Sequence, residues 1–202
     1  MKERPILFST AMVQAILEGR KTHTRRIVNP QPEGKTLQSN LDGKWLSKKF
    51  NGLLLPKIED LQIHCPYGQV GDRLWVRETW STHACFDDIS PKYITTCSIH
   101  YWADNKVKTG KKRASIHMPR LASRILLEIT DVRIERLKDI SKEDAKAEGF
   151  DYSTHPSAIE MGFAIGAKTN FRHAWQKIHG ADSWNENPWV WVIEFRVVGG
   201  DK

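Results

Sequence analysis

The fold of this chain is first indicated by its densest polar cluster, Gly19-Arg20-Lys21-Thr22-His23-Thr24-Arg25-Arg26. Ahead of it, the apolar residues from Ile6 to Phe8 predict a short strand, and the segment from Ala11 to Glu18 predicts a helix. Ser9 or Thr10 suits the N-cap of that helix, and the glycine that opens the cluster suits its C′ position. The cluster is therefore predicted to be a turn that follows a strand and a short helix.

Outward from this turn, the remaining pattern predicts strands and helices in a mixed order. Strands are expected at Arg73 to Trp80, Ser123 to Glu135 and Trp189 to Val197. Helices are expected from the N-cap Ser141 to the stop at Gly149, and from about Asn170 to Ile178. This order predicts an α+β fold, a small β-barrel decorated by short helices. We expect one domain over 1–202, with two long insertions at about 30–65 and 83–118.

Composition and charge limit the class of protein. The 202 residues are 40% hydrophobic and 27% charged, which is ordinary for a globular domain. Lys and Arg exceed Asp and Glu by 31 to 24, a net charge of +7 that favours polyanionic partners. Three cysteines cannot all pair, no signal peptide is evident, and no apolar run is long enough to span a membrane. We therefore expect a cytoplasmic protein with reduced thiols and no membrane partner.

Lys21 and Thr24 are candidates for chemistry because they lie three residues apart, which in a turn or helix puts both on one side. The neighbouring arginines and burial would both lower the pKa of the lysine. A lysine with a lowered pKa can act as a general base for a threonine hydroxyl. The alternative from the residues alone is a phosphate-binding or merely solvated basic turn. No Gly-rich strand-to-helix turn of a dinucleotide or P-loop site is present.

The polar cluster also carries a family resemblance. The pattern Gly-Arg-Lys-Thr-x-Thr-x-Arg at 19–26 resembles the opening signature of the ASCH family, within the PUA-like superfamily. The segment from Gly71 to Glu78 resembles that family's Gly-Asp turn into a barrel strand, and the segment from Trp191 to Phe195 resembles its closing strand. The overall pattern is similar to that of small phage and prophage proteins. The resemblance implies a PUA-like barrel that handles a nucleobase or RNA and uses no cofactor.

Within that family, the polar cluster is similar to the first turn of the small N(4)-acetylcytidine amidohydrolases. Their catalytic lysine and threonine match Lys21 and Thr24. Their glutamate follows a Leu/Ile-Thr/Ser-x-x-x-Ala-x-x-Glu run, which the segment from Ile140 to Glu148 reproduces. The resemblance implies Lys21 as base, Thr24 as nucleophile and Glu148 as the acid that helps the amine leave, with backbone N–H groups or Arg26 holding the oxyanion. An exposed, solvated Glu148 is the alternative.

Aromatic and charged side chains near the expected barrel mouth are candidates for binding. Eight tryptophans are many for this length, and most are expected in the core, including Trp189 and Trp191 on one strand face. Base stacking beside basic groups is the usual way to hold a flipped or single-stranded base. The candidate substrate or nucleic-acid contacts are Arg25, Arg26, Tyr67, Trp75, Glu78 and Trp80. For Glu78, pairing with Arg77 or Arg73 is the alternative.

Two further groups of residues are candidates for binding a ligand. The groups His64-Cys65, His83-x-Cys85 and Cys97-x-x-His100 could supply zinc ligands, but their spacing is not that of a zinc ribbon or finger, so no metal is predicted. The basic stretch from Lys106 to Arg113, with His117 and Arg120, could follow phosphates or form a solvated hairpin tip.

Three classes of function remain open from the sequence. The first is an amidohydrolase acting on an N(4)-acylated cytidine-type nucleoside. The second is a non-catalytic module that binds RNA or a modified base in the same pocket. The third is a ribonuclease, for which His23 is the extra candidate. The sequence does not determine the oligomeric state.

Overall fold

The computed structural model describes residues 1–29, 31, 65–94, 99–104, 109–151, 160 and 165–199. Its helices are α1 (Thr10–Leu17), α2 (Lys142–Ala147) and α3 (Ala167–His179). Its strands are β1 (Glu3–Leu7), β2 (His23–Ile27), β3 (Arg73–Arg77), β4 (Trp80–Thr82), β5 (Ile99–Tyr101), β6 (Leu126–Arg136) and β7 (Trp189–Gly199). The α+β class expected from the sequence is confirmed.

The main sheet has five strands in the order β1-β3-β6-β7-β2. β1 runs parallel to β3, and the other neighbouring pairs are antiparallel. The predicted barrel is wrong for the described strands, because β1 and β2 remain edge strands and no backbone ladder joins them. One link between these edges is a side chain: the Arg26 guanidinium donates a hydrogen bond to the Leu7 carbonyl at 2.6 Å.

The long strand β7 divides the core into two clusters, because alternate side chains of a strand point to opposite faces. Trp189, Trp191, Ile193 and Phe195 belong to the first cluster, which also contains Phe8 and Leu74. Val190 and Val192 belong to the second cluster, which lies under α2 and α3. The expected placement of Trp189 and Trp191 on one buried face is confirmed.

The two short helices begin where capping chemistry predicts. The Ser9 hydroxyl accepts a hydrogen bond from the Met12 amide, and the Ser141 hydroxyl accepts one from the Asp144 amide. After α1 the chain turns at Gly19, whose φ of +73° suits glycine. This turn brings the backbone at Lys21 beside Glu148, where the two form an isolated antiparallel bridge.

The predicted strand at 73–80 is split in two by the structure, into β3 and β4. β4 pairs with β5 in a separate two-stranded sheet, over a third cluster that contains Trp80, Ile94, Met118 and Ala122. Most of the first predicted insertion, 32–64, lies outside the described residues. The described helices include none long and apolar enough to cross a lipid bilayer.

Candidate functional site

Lys21 is buried beside the start of β2, with its side chain 0% exposed. Its ammonium Nζ donates to Glu148 Oε2 at 2.7 Å, to the Glu148 carbonyl at 2.9 Å and to the His23 carbonyl at 2.7 Å. A lysine ammonium has three protons to donate, and these three acceptors match them. Lys21 and Glu148 lie 127 positions apart in the chain, and the family resemblance assigned both to one site. In the structure they are in direct contact.

The pKa of Lys21 lies below its ordinary value of 10.5, chiefly because burial removes water from the charged form. The Glu148 carboxylate opposes this shift, while the charges of Arg26 and Arg25 add to it. Burial and neighbouring arginines are the two causes expected from the sequence. The result is an ammonium that can lose its proton more readily than a lysine in water.

Thr24 is 3% exposed and pairs with Ile193 of β7. Because side chains two apart in a strand share a face, Thr24 and Arg26 point to the same side of β2. The Phe8 ring lies on that side, with the Arg26 guanidinium 5.3 Å from its centroid. The Lys21 ammonium lies 5.6 Å from the same centroid, so Lys21 and Arg26 both adjoin the Phe8 ring.

Arg25 points to the opposite side of β2 and joins three carboxylates. Its guanidinium lies 2.9 Å from Asp144 Oδ2, 3.0 Å from Glu135 Oε2 and 3.4 Å from Glu148 Oε1. Its side chain is 0% exposed, so the guanidinium is held inside the protein and not presented to solvent. The sequence proposed Arg25 as a substrate contact; the structure places it behind Glu148, where it neutralises and orients that carboxylate.

Asp144 was not among the predicted site residues, and its pairing with Arg25 was missed. Asp144 and Glu148 are four residues apart around α2, which places both carboxylates on one side. That spacing is a signal that could have suggested a shared cation. The pKa of Asp144 lies below its ordinary value. Burial would raise this pKa, but the charge of Arg25, its hydrogen bond to Asp144 and the charge of Arg133 together lower it by more.

Arg26 and Tyr67 lie near the Lys21–Glu148 pair. Burial lowers the pKa of Arg26, while the charges of Tyr67 and Glu148 oppose the shift. Within the described part of the chain, no acceptor lies within hydrogen-bond distance of the buried Arg26 Nε atom. Tyr67 is half-buried and packs against the first cluster. Two of the predicted contacts therefore adjoin the predicted catalytic set.

The other predicted contacts lie elsewhere in the fold. Trp75 is in β3 and 8% exposed, with the Arg77 guanidinium 4.6 Å from its ring centroid. Trp80 is fully buried in the third cluster, the core placement expected for most of the tryptophans.

Glu78 is the remaining predicted contact; the alternative, pairing with an arginine, is what the structure shows, but the partner is Arg124 and not Arg77 or Arg73. The Arg124 guanidinium holds both of its carboxylate oxygens, at 3.0 and 3.1 Å. Burial raises the pKa of Glu78 although Arg124 opposes the shift. This carboxylate therefore belongs to a buried ion pair.

His23, the candidate for ribonuclease chemistry, is held on both ring nitrogens. Its Nδ1 atom lies 2.9 Å from the Thr22 hydroxyl, and its Nε2 atom lies 3.0 Å from Glu194 Oε1. The ring therefore bridges β2 and β7, on the side of the sheet that carries Arg25. The backbone carbonyl of His23 accepts a hydrogen bond from the Lys21 ammonium.

The structure describes only some of the candidate zinc ligands. His83 Nδ1 lies 3.1 Å from Cys85 Sγ, and His100 Nε2 lies 3.2 Å from the Thr109 hydroxyl. His64 and Cys97 lie outside the described residues. Among those that are described, no group of three or more His, Cys, Asp or Glu side chains could hold a metal ion.

The basic stretch weighed for phosphates is divided in the same way. Lys106 to Lys108 lie outside the described residues. Arg113 is 7% exposed and donates to the Phe86 carbonyl at 2.6 Å, so it supports the chain internally. Arg120 pairs with Glu3 at 2.9 Å on the surface.

Comparison with known proteins gives two distant structural likenesses. No protein-family model and no curated protein matches the sequence. A DUF984 protein from Enterococcus faecalis V583 is 13% identical at a TM-score of 0.41, over 98% of this chain and 82% of that one. An ASCH domain from Lactobacillus crispatus JV V101 is 16% identical at a TM-score of 0.40, over 98% and 80%. The second is described as an ASCH domain, the family that three segments of this sequence resemble. Likenesses this distant assign no activity.

Proposed function

We propose that this chain handles a nucleobase, and most specifically that it removes the acyl group from an N(4)-acylated cytidine-type nucleoside. The sequence resemblance supplies the substrate class. The observation that supports a reaction at this site is the buried contact of 2.7 Å between Lys21 Nζ and Glu148 Oε2. A buried ion pair with a displaced lysine pKa is a frequent feature of sites that move protons.

The ion pair can serve both proton transfers of amide cleavage, one residue accepting a proton and the other donating one. When the Lys21 ammonium passes one proton to the Glu148 carboxylate, a neutral amine and a carboxylic acid result. The amine accepts the proton of the Thr24 hydroxyl as its oxygen attacks the acyl carbon, and Glu148 protonates the departing exocyclic nitrogen. Water then cleaves the Thr24 ester: Glu148 accepts the proton of the attacking water, and the Lys21 ammonium protonates the departing Thr24 oxygen. The pair is left as the neutral amine and carboxylic acid with which the cycle began. The lowered pKa of Lys21 favours the first transfer.

Arg26 is suited to stabilise the oxyanion of the tetrahedral intermediate. Its Nε atom is a buried donor that no acceptor among the described residues satisfies. It lies on the Thr24 side of β2, where the attack would take place. A donor that is already in place and unpaired loses no hydrogen bond when negative charge develops beside it.

The test is the release of cytidine from N(4)-acetylcytidine by the purified chain. We expect Thr24→Ala and Lys21→Ala each to lower turnover by about a thousandfold or more, as for other nucleophiles and bases. Thr22→Ala is the matched control, because Thr22 is an exposed threonine two residues away. Lys21→Arg should also fail, since arginine does not release a proton at working pH. Full activity in Thr24→Ala would contradict the mechanism.

A non-catalytic binding module is the second candidate, and one observation favours it. The three protons of Lys21 already have three protein acceptors, an arrangement that also suits a purely structural charged lysine. Incubation with labelled single-stranded RNA separates the classes. A retarded but intact band, without deacylation, favours the binder, and shortened products favour a ribonuclease.

A further inference from the structure

A cleft of about 600 Å³ lies between α1, α3 and the end of α2. Its volume is within the range of small-molecule sites. Glu148 and Gly149 form part of its wall, so the cleft adjoins the Lys21–Glu148 pair. Lys21 and Thr24 do not line it, which makes it a compartment next to the proposed reaction centre.

Part of the cleft lining is apolar: it includes Met12 and Ala15 of α1, Ala174 and Ile178 of α3, and Phe150. Ile178 is 60% exposed, so this part of the apolar lining is open to a ligand. The half-buried Phe150 adds an aromatic ring, and flat nucleobases pack on surfaces of this kind.

The rim of the cleft is cationic. Arg20 and Lys177 line it, and both are exposed; the Arg20 guanidinium is paired with Glu18 and donates to the Gly149 carbonyl at 3.0 Å. α3 as a whole carries Lys168, Arg172 and Lys177 and contains no Asp or Glu. A helix whose formal charges are all positive attracts an anion to its surface.

The one carboxylate in the wall does not oppose an anion. Glu148 Oε2 receives a hydrogen bond from Lys21 at 2.7 Å, and Glu148 Oε1 lies 3.4 Å from Arg25. Its negative charge is therefore compensated inside the protein. The charge that the cleft presents to a ligand comes chiefly from Lys177, because the Arg20 guanidinium is paired with Glu18.

We propose that this cleft binds a phosphorylated nucleoside, with the base on the apolar lining and the phosphate at Lys177. The inference deepens the proposed function, on which it rests for the reaction: the nucleoside phosphate is preferred over the free nucleoside. The phosphate belongs either to a mononucleotide or to the 5′ end of an RNA strand. Both present the same dianionic group to Lys177.

Binding tests this without any turnover, by calorimetric titration of the chain with cytidine and with cytidine 5′-monophosphate. We expect the monophosphate to bind about tenfold more tightly, since a hydrogen bond to a charged group contributes that much. We expect this advantage to shrink at high salt. Equal affinity for the two ligands, or no binding of either, would overturn the proposal.

Two charge reversals on α3 locate the phosphate. Lys177→Glu should remove the advantage of the monophosphate, and Lys177→Arg should keep it. Arg172→Glu is the matched control, because Arg172 is exposed on the same helix but does not line the cleft. Equal losses in Lys177→Glu and Arg172→Glu would mean a general field of the helix and would overturn the site. Unchanged thermal unfolding of the variants verifies that they are folded.

The source of the phosphate follows from a third ligand, a short oligocytidine with a 5′-phosphate. Tighter binding than the monophosphate identifies RNA, and equal binding identifies a mononucleotide; either outcome supports the site. Failure of the proposed function is distinguishable, because it leaves the phosphate advantage intact while N(4)-acetylcytidine is not hydrolysed. The opposite failure leaves hydrolysis intact with no preference for the phosphorylated form.

Discussion

Lys21 and Glu148 meet at 2.7 Å with side chains 0% and 3% exposed. Lys21 contacts both the side chain and the main chain of Glu148, since it also donates to the Glu148 backbone carbonyl. A buried charge needs a partner, because an isolated ion inside a protein lacks the solvation that water provides. Each of the two residues therefore constrains where the other can lie, and they join the turn after α1 to the end of α2.

The buried ammonium makes the stability of the protein depend on pH. The pKa of Lys21 in the folded protein lies below its ordinary value of 10.5. Between the folded pKa and 10.5, the unfolded chain therefore binds more protons at this residue than the folded chain does. The free energy of unfolding therefore rises with pH across that window. We expect wild type to gain stability relative to Lys21→Met as the pH rises from neutral, measured by urea unfolding at each pH. A difference that stays flat or falls would contradict the lowered pKa.

Gly149 closes α2 onto α1 and Lys21. Its φ is +92°, and a Cβ atom there would lie 2.9 Å from Ala15 Cβ and 3.3 Å from Lys21 Cβ. We expect Gly149→Ala to lower the free energy of unfolding by about 2–4 kcal/mol, from backbone strain and overpacking together. The control is Gly19→Ala, because Gly19 has a φ of +73° with nothing within 4 Å of the added atom. Equal losses in chemical denaturation would show that the close packing contributes nothing.

Arg25 compensates several carboxylates at once. Removing it leaves Glu135, Asp144 and the nearly buried Glu148 without a shared cation, so we expect Arg25→Ala to cost about 3–5 kcal/mol. Arg25→Lys should recover only part of this, because one ammonium does not reproduce the planar fork. Arg196→Ala, which breaks the exposed pair with Glu128, should cost at most about 1 kcal/mol. Urea midpoints of the three variants decide whether the buried network is the stabilising one.

Asp72 ties the first residues of β1 to the start of β3. Its carboxylate accepts from the Lys2 amide at 2.7 Å and from Arg4 at 2.9 Å. The Lys2 hydrogen bond, followed by the contacts with Arg4 and Gln69, lowers the pKa of Asp72 below 3.8. A lowered pKa gives stability that is present above 3.8 and is lost as the pH falls through the folded value.

We therefore expect Asp72→Asn to cost about 1 kcal/mol at neutral pH and less in acid. Thermal unfolding at neutral pH and in acid measures both parts of this expectation. A cost that is the same at both would mean that the charge of Asp72 is unimportant and that only its hydrogen bonds matter.

The sequence by itself determined the elements whose signals are local. Ser9 and Ser141 begin helices because their hydroxyls cap the first turn, and Gly19 ends the first because it accepts a positive φ. Alternating apolar residues identified β7 and its Trp189–Trp191 face. The assignment of Lys21 and Glu148 to one site came from a family resemblance and not from periodicity, and their direct contact was not predicted.

Only the tertiary structure decided what depends on distant contacts. The partners of Arg25, the ion pair between Glu78 and Arg124, and the burial of Trp80 follow from how the sheets and helices pack. The same holds for the edges at β1 and β2, bridged by Arg26 instead of a closing ladder. A side chain's charge and size are written in the sequence, but its neighbours are set by long-range packing, because elements far apart in the chain supply the opposing surfaces.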